Sequence, residues 1–114
     1  MNTLFQDEFN MLSEQALATN VAKGFWDSRQ GGQHDHTFIG LVHTEVSEAM
    51  EAMRHGNPPD DKIPEFSGVE AELADVIIRI MGHSAGRGWN VAGAIEAKLA
   101  YNAGREYRHG GKEF

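Results

Sequence analysis

The 114-residue chain carries 17 acidic and 10 basic residues, a formal charge of −7, and no cysteine. That length holds one domain with one core; the acidic balance argues against a nucleic-acid partner, and the lack of cysteine excludes disulfides and thiolate metal sites. No apolar run approaches a bilayer crossing and the N-terminus lacks the basic and apolar regions of a signal peptide, so a single soluble cytoplasmic domain over residues 1–114, with no membrane partner, is expected.

The first predicted helix runs from Thr3 to about Val21. Phe5, Phe9, Leu12 and Ala16 recur at helical spacing, Thr3 with Gln6 makes a capping box, and Gly24 marks the end. A Gly- and His-rich loop follows, through Gly31, Gly32, His34 and His36. Phe25 and Trp26, just past the helix end, suit either core packing or stacking on a nucleobase.

Helix 2 is expected from about Thr37 to Arg54, stopped by His55, Gly56, Asn57 and the Pro58-Pro59 pair. The stretch from Gly56 to Ser67 holds all three prolines and reads as a loop long enough to suggest a functional role. Ser67 and Glu70 form a second capping box that opens helix 3, from about Gly68 to Ser84, with Gly86 and Gly88 closing it. Asn90 caps helix 4, whose stripe is Val91, Ile95 and Leu99, until Gly104. The polar tail from Arg105 to Phe114 is expected to be a flexible terminus. Four helices with short to moderate connections make an all-α four-helix bundle, and so many amphipathic faces in so short a chain imply packing on another copy as a homodimer or homotetramer.

On a helical wheel the apolar arc of helix 2 is Phe38, Leu41, Val42, Ala49 and Ala52, with Glu45 at its centre and Glu48 near its edge. Carboxylates on a buried stripe are costly unless a cation or metal compensates them, and Glu45 has no Lys or Arg three or four residues away. On helix 3, Glu72 and Asp75 flank the arc of Val69, Leu73, Val76, Ile77 and Ile80, and Arg79 stands at i+4 from Asp75 as an ordinary intrahelical partner. If helices 2 and 3 are antiparallel neighbours, four carboxylates converge in one cleft, a donor set suited to a hard divalent ion, usually Mg²⁺ where substrate phosphates complete the shell. Glu51, Glu65, Glu70 and Glu96 read as surface or capping charges. On helix 4, Lys98, Asn102 and Arg105 form one column that overlaps the apolar stripe, placing two cations and an amide either inward, toward an anion, or snorkelling to solvent.

The pattern Glu45-x-x-Glu48, 23 residues, Glu72-x-x-Asp75, then Lys98, Asn102 and Arg105 resembles the MazG-like branch of the all-alpha nucleoside triphosphate pyrophosphohydrolases, over roughly Gly24 to Lys112. The resemblance implies a four-helix core in dimers or tetramers that hydrolyses a ribo- or deoxyribonucleoside triphosphate to the monophosphate and pyrophosphate in nucleotide-pool housekeeping. It implies Mg²⁺, with Mn²⁺ as a substitute, held by Glu45, Glu48, Glu72 and Asp75, with Glu45 or Glu48 as the base. Lys98, Asn102 and Arg105 would meet the phosphates, and Trp26 the base, since related dCTP-directed enzymes carry a Trp in this region. The fuller family motif has a glutamate where this chain has Thr44, which leaves the subfamily open. Two other classes remain: a non-catalytic helical interaction module, and a di-metal carboxylate redox protein. The second needs two Glu-x-x-His motifs on core helices, whereas the chain has one, Glu106 to His109, in its tail.

Overall fold

A computed structural model describes residues 1–26 and 35–105. Among these residues the fold is all-helical: α1 (Leu4–Ala22), α2 (Asp35–Arg54), α3 (Gly68–Arg87) and α4 (Val91–Ala103). The end of the loop before α2, the Glu106 to His109 motif and the rest of the tail lie outside the described residues.

Local chemistry accounts for the helix ends. Thr3 Oγ1 accepts the Gln6 amide at α1, but the Gln6 side chain does not close the expected box. It donates instead to Glu96 of α4, which also accepts the Thr3 hydroxyl, so Glu96 is an inter-helix tie rather than a surface charge. The Ser67–Glu70 capping box is complete, and Asn90 accepts the Gly93 amide at the start of α4. α2 starts two residues earlier than its apolar pattern, because Asp35 suits a helix N-terminus and is tied to α3. His36 therefore belongs to α2, not to the loop. α3 runs on to Arg87: Gly86 stays helical, and Gly88 at φ 73° supplies the left-handed cap.

α3 is the central element, packed against both α1 and α2. Its pairing with α2 is antiparallel: Asp35 meets His83 and Arg87, Glu45 meets Arg79, and Ala52 lies against Gly68. α4 packs chiefly on α1. This departs from a closed four-helix bundle within one chain, in which each helix packs along two others.

The openness shows in the burial. Among the described residues the buried apolar side chains are Phe38, Ala49, Ala71 and Ala92, whereas Leu73, Ile77, Ile78 and Leu99 are about half exposed or more. No helix among these residues is long and apolar enough to cross a membrane.

Candidate metal centre

Glu45 sits in the middle of α2 on the face that meets α3, and its side chain is only 13% exposed. A carboxylate so placed needs a compensating positive charge, and α3 supplies one: Arg79 approaches Glu45 Oε1 through Nε at 3.0 Å and Nη2 at 2.9 Å. The expected intrahelical Asp75–Arg79 pair is thus replaced by a cross-helix pair, although the Arg79 charge still favours ionised Asp75.

Glu72 and Asp75 rise from the same part of α3. One carboxylate oxygen each from Glu45, Glu72 and Asp75 lie within 4.8 Å of one another. Around an ion with bonds near 2.1 Å, opposite ligands stand about 4.2 Å apart, a scale that matches three oxygens gathered inside that limit. Glu48, expected as a fourth member, is exposed and outside this group of three, though its charge reaches Glu72.

The crowding has an electrostatic signature. Glu72 is pushed up to about 7, first by desolvation, then by its hydrogen bond with Glu45 and that residue's charge, then by Asp75 and Glu48. Asp75 is also raised, by desolvation and then by Glu45. Three oxygen donors, partly desolvated and mutually repelling, form a donor set that fits a hard divalent cation such as Mg²⁺.

The loop between α2 and α3 closes over one side of Glu72 and Asp75. A cavity of about 450 Å³ has these two residues on its α3 wall and Asp60, Asp61, Lys62 and Ile63 on its loop wall. The length and prolines of the loop mark it in the sequence, whereas these four residues are signalled there only by an Asp-Asp-Lys run ahead of the capping box.

On the other side of Arg79, a second cavity of about 290 Å³ is lined by Asn20, Phe25, Trp26, Phe38, Arg79 and His83, among others. Trp26 stacks on His83 at 5.7 Å between ring centroids and packs against Gly86, where a Cβ would collide with it. Core packing is therefore one role of Trp26, while its position also leaves it on the cavity wall.

His83, not singled out from the sequence, organises this layer. It is 3% exposed, lies parallel to Phe38 at 4.1 Å, and meets Trp89 at 5.4 Å. A carboxylate only accepts, so Nε2 donates to Asp35 Oδ1 at 2.8 Å, and Arg87 joins the same carboxylate at 3.2 Å. Among the described residues, Nδ1 is buried without a hydrogen-bond partner.

The helix 4 column is elsewhere. Lys98, Asn102 and Arg105 are all exposed, and both cations lie over the Tyr101 ring, at 5.4 and 6.0 Å from its centroid. With α4 held on α1, they are not brought to the carboxylates of the same chain. Comparison of the chain with protein-family models, curated proteins and solved structures gives no match.

Proposed function

We propose that the chain is a Mg²⁺-dependent pyrophosphohydrolase of ribo- or deoxyribonucleoside triphosphates, acting in nucleotide-pool housekeeping. The observation that carries the reading is the convergence of Glu45, Glu72 and Asp75 across two helices, with Glu45 almost enclosed. The family resemblance of the spacing supplies the substrate class. Glu45, Glu72 and Asp75 are the ligands, joined by Glu48 from one turn further along α2.

When bound, the ion polarises the α-phosphate and offsets charge on the departing pyrophosphate. Mn²⁺ has the same ligand preferences and substitutes for it. Glu48 is the better-placed base, because Glu45 is bonded to Arg79 while Glu48 is exposed and no described cation lies within ion-pair distance of it. It orients a water toward the α-phosphorus and takes its proton as the new P–O bond forms; the bond to the bridging oxygen breaks and pyrophosphate leaves with the electron pair. Trp26 and Phe25, across Arg79 from the carboxylates, offer flat surfaces for the base.

Lys98, Asn102 and Arg105 meet the phosphates only if α4 of one copy lies over the α2–α3 pair of another. The uncovered side chains of α3 and α4 favour such a homodimer or homotetramer, because one copy buries little apolar surface of its own.

Incubation with a panel of ribo- and deoxyribonucleoside triphosphates and Mg²⁺ tests the reading. Equal amounts of monophosphate and pyrophosphate are expected. Release of orthophosphate alone, or no turnover across the panel, overturns it.

A further inference from the structure

Polyphosphate recognition poses a problem within a single chain. The cavity beside Glu72 and Asp75 also contains Asp60 and Asp61, so a triphosphate entering it meets a strongly negative field. The α4 cations are not there, and Arg79 is engaged with Glu45. Lys62 is the exception: it lines the cavity, and its charge favours ionised Asp60 and Asp75 there, while none of the ion pairs among the described residues includes it.

Its placement comes from a tightly built loop. The Asp60 carboxylate accepts the amides of Lys62 at 2.9 Å and Ile63 at 3.0 Å, which turns the chain at this point. The Asp60 amide donates to Phe66 O at 2.8 Å and the Phe66 amide to Ile63 O at 2.9 Å, closing the turn from the other side. At the base, Gly68 N donates to Pro58 O at 2.7 Å, and the Asn57 side chain accepts the Val69 amide at 2.9 Å. Asn57 itself takes φ 53°, a left-handed conformation that Asn tolerates better than most residues. These bonds fix the Lys62 backbone beside the α3 wall that carries Glu72 and Asp75.

We propose that Lys62, held on the loop wall of the Glu72–Asp75 cavity, is a polyphosphate-binding residue of the same chain's site. This rests on the pyrophosphohydrolase reading and adds to it: the first phosphate cation is supplied by the α2–α3 loop of the chain that holds the metal, independently of any second copy. The ammonium group donates to non-bridging oxygens of the β and γ phosphates, and the cavity volume is within the range of small-ligand sites.

Calorimetry on the full chain tests this, first with Mg²⁺ alone and then with sodium tripolyphosphate in saturating Mg²⁺. For Lys62→Ala, tripolyphosphate affinity falls roughly ten- to a hundredfold, the effect of losing a charge-assisted hydrogen bond. Mg²⁺ affinity stays level or rises, since a cation that repels the ion has gone. Lys62→Arg retains most of the tripolyphosphate affinity. Unchanged tripolyphosphate affinity in Lys62→Ala overturns the proposal while leaving the pyrophosphohydrolase reading in place. A parallel loss of Mg²⁺ and tripolyphosphate affinity also overturns it, by showing that the side chain merely supports the loop. If the parent protein binds no tripolyphosphate and releases no pyrophosphate from any nucleotide, the functional reading itself fails, and this inference with it.

Discussion

The α2–α3 pair and α4 both carry charged residues on the side of the helix where apolar residues gather, yet only the first becomes a site within one chain. Glu45 is enclosed because α3 lies against it and supplies Arg79, Glu72 and Asp75. Lys98 and Arg105 occupy an equivalent position on their wheel, but α4 rests on α1, and they lie exposed over Tyr101. A polar residue on an apolar face is thus informative only together with the helix that covers it.

The sharpest way to break this contrast is Glu45→Gln. It keeps the shape of the side chain and removes the charge that faces both Arg79 and the proposed metal. Hydrolysis should fall by more than about a hundredfold, beyond the ten- to hundredfold typical of outer-shell partners, with the helical circular dichroism retained. Turnover within a few-fold of the parent would remove Glu45 from the ligand set.

The next effect concerns α4 and has two parts. Lys98→Ala should lower hydrolysis about ten- to a hundredfold if a second copy lays this column over the carboxylates. Mixing the Glu45→Gln and Lys98→Ala proteins, after mild dissociation and reassembly, should then raise activity above the sum of the two, because some mixed assemblies contain one intact site. A fully active Lys98→Ala protein would leave the column a solvated face, and failure of mixing to restore anything would confine the site to one chain.

The smallest effect is on stability and follows from Glu72. Its carboxyl is raised to about 7 in the folded chain from an ordinary 4.5, so between these values the folded state binds more protons than the unfolded one. Stability from this source is present at low pH and declines as pH rises through that window. In metal-free protein, the melting temperature of the parent should therefore fall relative to Glu72→Gln between about pH 4.5 and 7. Mg²⁺ should raise the parent's melting temperature most above pH 7 and less near pH 4.5, where a proton holds Glu72. Parallel pH profiles for parent and variant would show that the crowding at Glu72 is relieved in solution.

Much of the α2–α3 pair was legible because local signals agreed with one another. The Ser67–Glu70 box and Asn90 cap stand where the residue types indicated, and the wheel placed Glu45 on the covered face. The partner of Glu45 was not legible, since Arg79 lies 34 residues away and an i,i+4 alternative within α3 competes for it. The extra turn of α3 was hidden by Gly86, whose missing side chain signals a helix end locally but serves here to admit Trp26. His83 gave no pattern at all: a single histidine on a helix reveals itself only when Phe38, Trp26 and Asp35 arrive from three other places in the chain. The packing of α4 on α1 was not legible either: Gln6 bonds Glu96 rather than its own helix end, a competition between local and distant partners that spacing does not decide.

The two fastenings of α2 to α3 have a consequence for the carboxylates between them. At one end Asp35 is held by His83 and Arg87; at the other Ala52 lies against Gly68, and Asn57 is bonded to Val69. Glu45, Glu72 and Asp75 stand in the span between these points, so the two backbones have little freedom to separate and relieve their repulsion. The electrostatic work of bringing the acids together is therefore done when the chain folds, and it is already complete when a cation arrives. Such a scaffold trades some stability of the empty protein for a receptor that needs little rearrangement, so under the proposed function a bound ion would relax the fold instead of deforming it.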